Sequence, residues 1–441
     1  MKKSKYNIVH RKDDAILVYN SLSGALAKVD DTFFYALDAI SQNNIEKINN
    51  VNTELLDNMK RLGLILDDTK DELEILKKNS KSNSQSVGHL KLIVAPTLEC
   101  NFKCVYCYEE PKKGFMKDEV IEDLLSLLNN AFSTSEIETL SLVWYGGEPL
   151  LAPDIIEKIS LNIQEICKKH AVKFHSSIIT NGYLVNEKTV ELFIKCKINS
   201  AQITLDGLED THEIRRCIIA KEQKSFHQVV DGIQLLTNND ISVNLRINVD
   251  RENYGEVNEL MTFISNREVN KNRLKFSLGH VFADDEVNKD YKCNCLSKEE
   301  FSDLKIDFLE VAHNLGFKKS VKSLYPKYKP NYCSAPGVNT YVVDPEGGLY
   351  KCWNDICDLQ KRVGVLNGIG SYHELLDCSR NSDWGKFSIY KYDECVECAF
   401  LPVCAGGCPR KIINNESSPT CEDVKFNINS LIEFYYEKRV F

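Results

Sequence analysis

Three cysteines, Cys100, Cys104 and Cys107, fall within eight residues in the spacing C-x3-C-x2-C. Thiolates this close can take three corners of a cubane iron–sulfur cluster, whose full cage normally takes four cysteines. Such a set leaves one iron open to a substrate or cofactor. A second group begins at Cys333. Gly347 follows it after thirteen intervening residues, and Cys352 follows that glycine after four more. Cys395, Cys398, Cys404 and Cys408 then run C-x2-C-x5-C-x3-C, and Cys421 lies twelve residues further on. Of the 17 cysteines, nine lie from Cys333 onward, a clustering that reads as metal or cluster ligation. Zinc is the plain alternative for the Cys395–Cys408 run taken alone.

The elements that must position these cysteines are visible as a rhythm. His89–Ala95 reads as a strand leading straight into the first cysteine loop. Strands follow at Leu140–Tyr145, Phe174–Ile179, Ala201–Leu205, Val243–Val249 and Leu274–Leu278, alternating with helical patterns. Those helices fall at Asp118–Phe132, Asp154–His170, Glu187–Lys197, Phe226–Asn238 and Asn258–Ser265. Ser297 to Glu300 is a capping box that opens a sixth helix. Six β/α units predict a parallel sheet buried by helices, and six are too few for a closed eight-unit barrel. Each unusual motif sits at the carboxyl end of a strand, where such sheets place their chemistry.

The chain has 441 residues, 43% hydrophobic and 27% charged, with a net charge of −9. That is ordinary globular composition and gives no footprint for nucleic acid. The start, Met1 to Tyr6, lacks an apolar h-region, and no apolar run is long enough to span a membrane. A cytoplasmic protein with reduced thiols is expected.

The Cys100–Cys104–Cys107 loop, placed after the first strand, resembles the signature of the radical S-adenosylmethionine (SAM) superfamily. Tyr106 fits the aromatic which that family uses beside the adenine. Gly146-Gly147-Glu148-Pro149 resembles its GGEP motif, which binds the methionyl amine; glycines permit close backbone approach and Glu148 offers acceptors. Thr180-Asn181-Gly182 and Thr204-Leu205-Asp206-Gly207 look like the elements that contact the ribose and carboxylate of SAM, with Arg216 or its neighbour Arg215 as a carboxylate partner. The later cysteines resemble the SPASM extension. By that resemblance Cys395, Cys398, Cys404 and Cys421 hold one auxiliary 4Fe–4S cluster, and Cys333, Cys352 and Cys408 hold another. Cys357 is a candidate fourth ligand of the latter; otherwise it keeps an open site. The resemblance thus implies SAM and three 4Fe–4S clusters, one of them SAM-binding, and an electron donor such as flavodoxin or ferredoxin. The superfamily cleaves SAM to methionine and a 5′-deoxyadenosyl radical.

The expected architecture is α/β: a winged-helix-like module at 1–76, a linker at 77–88, a partial (β/α)6 radical SAM barrel at 89–320 and a cysteine-rich SPASM domain at 321–441. In the first module Asp31 is read as a cap for a helix whose Phe34, Leu37 and Ile40 share a face. The module resembles the leader-recognition domain of ribosomal-peptide biosynthesis. This implies a precursor peptide whose leader docks along the strand near Gly24–Val29 and the helix near Leu55–Leu62. Its core would be crosslinked by a thioether or carbon–carbon bond. Anaerobic sulfatase maturases, which make formylglycine, are the second enzyme family in view. They carry an aspartate directly after the Gly-x4-Cys cysteine; here that position is Trp353, with Asp355 two residues on.

Overall fold

The computed structural model describes residues 1–13, 15–109, 111–220, 223–281, 294–356, 358–414 and 418–440. They fall into two units. One takes Met1–Ser84, Lys322–Ser334 and Phe387–Phe441; the other takes Gln85–Val321 and Ala335–Lys386.

In the first unit, β1 (Asn7–Lys12), β2 (Ala15–Asn20) and β3 (Leu26–Val29) form an antiparallel sheet in the order β1-β2-β3. Side chains alternate across a strand, so β2 sends Val18 to one face and Leu17 and Tyr19 to the other. All three are buried. Helices α1 (Asp31–Ser41) and α2 (Thr53–Arg61) close the first face, where Val18, Phe33, Ala36, Ile40, Leu56 and Met59 share a core. The cap of α1 is Asp30 rather than Asp31. The Asp30 carboxylate accepts from the Thr32 and Phe33 amides at 3.0 and 3.3 Å, leaving Asp31 in the first turn. The fully buried residues of α1 are Phe33, Ala36, Ala39 and Ile40; Phe34 and Leu37 are only partly buried.

Residues 77–85, expected as linker, continue a helix, α3 (Glu72–Gln85). Its own residues are poor in apolar groups, and anchors outside it supply what the pattern lacked. Glu72 accepts from Ser4 Oγ at 2.6 Å and from the Lys5 amide at 3.1 Å. Leu76 is buried with Tyr6, Ile389, Leu401 and Ile412, and Ser80 Oγ donates to Asn331 Oδ1 at 2.6 Å.

The second unit is built on β4 (His89–Val94), β5 (Thr139–Trp144), β6 (Lys173–Thr180), β7 (Ile198–Thr204), β8 (Ser242–Val249) and β9 (Leu274–His280). Between them lie α4 (Asp118–Thr134), α5 (Pro153–Lys169), α6 (Glu187–Lys195), α7 (Phe226–Asn238) and α8 (Val257–Ser265). The capping box opens α9 (Lys298–Asn314) as expected, with both reciprocal hydrogen bonds made. These six strands run parallel in the order β9-β8-β7-β6-β5-β4. The sheet continues past β4 with β10 (Thr340–Val343), also parallel, then with antiparallel β11 (Gly348–Tyr350) and β12 (Gly364–Val365). Residues from the cysteine-rich region thus extend the barrel sheet.

Alternation shows which face is covered. In β8, Val243, Leu245, Ile247 and Val249 are buried while the residues between them are half-buried. The helical face is apolar; the opposite, concave face is where the motifs gather. The C-terminal α10 (Val424–Lys438) returns to the first unit, where Ile428 and Ile432 pack with Leu17, Tyr19 and Val403. Tyr19 also donates its hydroxyl to the Pro326 carbonyl at 2.5 Å. Among the described residues no helix is long and apolar enough to cross a membrane.

Candidate active site

Cys100, Cys104 and Cys107 lie on the loop that leaves β4. A short strand within it, Phe102–Cys104, pairs antiparallel with Arg216–Ile218, setting Arg216 opposite Cys104. Burial pushes the Cys100 and Cys107 thiols up to about 12, and neighbouring negative charges add to it. Cys104 is also raised by burial, against the pull of the Arg216 guanidinium. Cys100 and Cys104 are half-buried and Cys107 is exposed; three thiols on one short loop are the donor set that a cubane cluster takes at three of its irons.

The two glycines after β5 let this loop lie close. A Cβ on Gly146 would fall 2.2 Å from the Thr97 carbonyl oxygen, and one on Gly147 would fall 2.3 Å from that of Glu99. Gly146 also has φ of +109°, a region where side chains are strained. The Glu148 amide then donates to the Glu99 carbonyl at 2.8 Å. The Glu148 carboxylate is wholly buried. It accepts from Thr180 Oγ1 at 2.7 Å, from the Asn181 amide at 2.7 Å and from the Leu150 amide at 2.9 Å. Burial raises its pKa and these donors oppose the rise. Asn181 Nδ2 reaches on to Asn101 Oδ1 at 2.7 Å, inside the cysteine loop. One hydrogen-bonded chain thus joins the GGEP and T-N-G segments to the loop, with Glu148 at its centre. Three donors occupy three of the roughly four acceptor sites of a carboxylate.

A second network surrounds Tyr106. Its hydroxyl donates to Asp206 and accepts from Arg216 Nη1 at 2.6 Å and Asn248 Nδ2 at 3.1 Å. Asp206 Oδ1 accepts from the Asn248 amide at 3.0 Å. Burial raises the Asp206 pKa, with Arg216 and Tyr106 pulling the other way. The Arg216 Nε is buried without a hydrogen-bond partner, an orphan donor beside the cysteine loop that suits an anionic ligand group. Arg215 points elsewhere: its Nη1 holds both oxygens of buried Asp250 at 2.9 Å. The two arginines, interchangeable in the sequence, therefore have different duties. Thr204 ends β7 in register with Arg246 of β8.

A cluster that the motifs did not announce stands beside Cys107. The Tyr108 and Tyr145 hydroxyls bond to each other, and Tyr145 stacks on Trp353 with ring centroids 5.8 Å apart. Glu109 Oε2 is buried without a partner, and burial pushes this carboxyl up to about 7. The clue was positional: Tyr108 directly follows Cys107 and Tyr145 directly precedes Gly146.

In the first unit, Cys395 is raised to about 12 by burial, with the nearby Cys404, Glu394, Cys398 and Cys421 adding to it. Lys425 Nζ donates to Cys421 Sγ at 3.3 Å. Cys333 and Cys408 both lie close to Tyr332. Cys352 belongs to the second unit, and Cys357 lies outside the described residues. Among the described residues no three such side chains form a ready cage for one metal ion. A single zinc draws its sulfurs to about 2.3 Å from one centre, whereas a cluster takes each sulfur on a different iron.

Comparison with known proteins agrees with this layout. Residues 94–264 match the radical SAM superfamily model. The chain is 25% identical over 374 residues to a cysteine-type anaerobic sulfatase-maturating enzyme of Clostridium perfringens, covering 78% of this chain and 95% of that protein. It is 21% identical over 485 residues to the radical SAM cyclopropyl synthase TigE of Paramaledivibacter caminithermalis, covering 99% and 96%. Among solved structures, anSMEcpe with bound AdoMet and the Cp18Cys peptide matches with a TM-score of 0.61 and 20% identity, over 79% of this chain and 97% of that one. Streptococcus suis SuiB bound to its precursor peptide SuiA matches with a TM-score of 0.54 and 16% identity, over 96% and 98%. Residues 94–264 of this chain therefore form a radical SAM domain.

Proposed function

We propose that this enzyme uses radical SAM chemistry to crosslink a ribosomally made precursor peptide, through a thioether or a carbon–carbon bond. The observation that carries the reading is the N-terminal sheet. Among the described residues its outer strand β3 has a neighbour on one side only, and such an edge is a template for an extended peptide. Support comes from coverage: the likeness to peptide-bound SuiB spans 96% of this chain, that to anSMEcpe 79%. Trp353 weighs against the formylglycine alternative. At the position where sulfatase maturases carry their aspartate stands an indole, 40% exposed and stacked on Tyr145, which cannot take a proton.

In this reading Cys100, Cys104 and Cys107 hold the SAM-binding cluster. Cys395, Cys398, Cys404 and Cys421 hold one auxiliary cluster; Cys333, Cys352 and Cys408 serve the other, with Cys357 or a substrate thiolate as candidate fourth ligand. Bound there, a 4Fe–4S cluster and SAM supply reductive cleavage to methionine and a 5′-deoxyadenosyl radical. The chain's residues do the placing. Gly146 and Gly147 keep the backbone bare beside the loop, and Glu148 locks the loop to the strand ends. Arg216 offers a cation to an anionic group, and Tyr106 and Asp206 hold that cation in place. The peptide would lose two hydrogens per crosslink: one as an atom to the deoxyadenosyl radical, the other as a proton and an electron, which a cluster held by the later cysteines would be able to accept.

The test is co-expression with candidate short peptides, taken first from reading frames that neighbour this gene, followed by mass spectrometry. Loss of two hydrogens per crosslink is expected, and iodoacetamide labelling then separates a thioether from a carbon–carbon bond. An unchanged peptide, together with formylglycine formation in a sulfatase-derived peptide, would replace this reading with the alternative.

A further inference from the structure

We propose that the face of the parallel sheet that carries the motifs holds a carboxylate-binding subsite, formed by Lys275, Arg246 and Ser277, that receives an acidic side chain of the peptide. This rests on the peptide reading above and narrows its substrate class.

The face is fixed by contacts. Asn248 of β8 reaches the Tyr106 hydroxyl, so Asn244, Arg246 and Asn248, which alternate with the buried valines and leucine, look toward the site. The parallel register sets Lys275 beside Asn244, Ser277 beside Arg246 and Gly279 beside Asn248. A Cβ on Gly279 would fall 2.4 Å from Arg246 Nη2. The bare backbone there gives the guanidinium room to lie over β9.

The polar groups here are only partly satisfied. Asn244 Nδ2 donates to Gln202 Oε1 at 3.1 Å, but Asn244 Oδ1 and Ser277 Oγ are buried and unbonded. Arg246 donates through Nε to Asn248 Oδ1 at 2.7 Å and forms no ion pair among the described residues. Lys275 is half-buried, and desolvation lowers its pKa without any compensating neighbour. The charge balance sharpens the point. The six strands β4 to β9 contain no Asp or Glu, although the chain carries a net −9. A half-buried ammonium with no carboxylate beside it among the described residues is costly, and a ligand carboxylate satisfies both it and the Ser277 hydroxyl.

Two observations favour the peptide over SAM as the source. Lys275 lies four residues before Gly279, about 13 Å down the strand from the level of Asn248 and Tyr106 at ~3.3 Å per residue. The same sheet carries a largely apolar wall, with Ile93, Val143, Ile179 and Val342 clustered beside Tyr145 and Tyr350. Methylenes against that wall and a carboxylate against Lys275 describe a glutamate or aspartate side chain.

The probe is N-acetylglutamate α-amide, with N-acetylglutamine α-amide as its neutral counterpart. Binding is read by saturation-transfer NMR on the full-length, cluster-loaded protein. The acid is expected to bind about tenfold tighter than the amide. That preference should vanish in Lys275→Met and return in Lys275→Arg, and added SAM should leave the acid bound. Lys275→Met should also melt no lower than the parent, because it removes a desolvated, unpaired charge. Equal binding of the two probes, a preference that survives Lys275→Met, or displacement by SAM would each overturn the subsite. None of these readouts requires crosslinking, so a failure here stands apart from failure of the peptide reading.

Discussion

Gly147→Ala is expected to lower 5′-deoxyadenosine formation by about a hundredfold or more, the cost of misplacing reacting groups by about an ångström. Its Cβ would sit 2.3 Å from the Glu99 carbonyl oxygen and 2.6 Å from that of Leu98. Both obstacles are backbone, so no side chain can swing aside. Glu99 immediately precedes Cys100, and the Glu148 amide holds that same Glu99 carbonyl. Any relief therefore moves the cysteine loop or breaks the tie to Glu148. Gly255→Ala is the control, since a Cβ there meets nothing within 4 Å. The measurement is chromatography of nucleoside products from dithionite-reduced enzyme, with circular dichroism to confirm folding. A folded Gly147→Ala enzyme turning over SAM at the parent rate would refute the tight-approach account.

Arg215→Met is expected to destabilise the second unit by about 3–5 kcal/mol, the usual cost of stranding one partner of a buried ion pair. Side-chain exposures are 2% for Arg215 and 0% for Asp250, so the carboxylate left behind cannot reach water. Asp250 Oδ1 also accepts from the Glu252 amide at 3.0 Å, and Asn253 Oδ1 accepts from the Asp250 amide at 2.9 Å. The loss would thus propagate into the turn after β8. Adding Asp250→Asn should recover part of the deficit by removing the stranded charge. Guanidinium unfolding followed by fluorescence reads the change; a loss under about 1 kcal/mol, typical of exposed pairs, would contradict the assignment.

What could be read in advance divides along physical lines. The cysteine loop, the Gly-Gly turn and the six parallel strands are local patterns, and each strand emerged within about three residues of its expected bounds. Phe226–Asn238 matched at both ends. Arg215 and Arg216 could not be told apart, because adjacent residues diverge only once the Arg216–Ile218 strand pairs with the loop. The Tyr106 network was equally hidden, since Asp206, Arg216 and Asn248 come from segments about a hundred or more residues away. Helix α3 defeated composition because its anchors, Ser4 and Tyr6 on one side and Asn331 and Leu401 on the other, are remote in sequence. The same holds for Tyr19, whose hydroxyl finds the Pro326 carbonyl. The partnership of Tyr145 with Trp353 needed the sheet to bring β5 beside the segment after β11.

The central claim is that Cys100, Cys104 and Cys107 hold the centre that cleaves SAM. It is tested most directly by incubating iron–sulfur-reconstituted, dithionite-reduced protein with SAM under strict anaerobiosis and quantifying 5′-deoxyadenosine and methionine. Equal amounts of the two products are expected from the parent and from Cys378→Ser, and none from Cys104→Ala. Absence of 5′-deoxyadenosine from the iron-loaded parent, or its persistence in Cys104→Ala, would contradict the account.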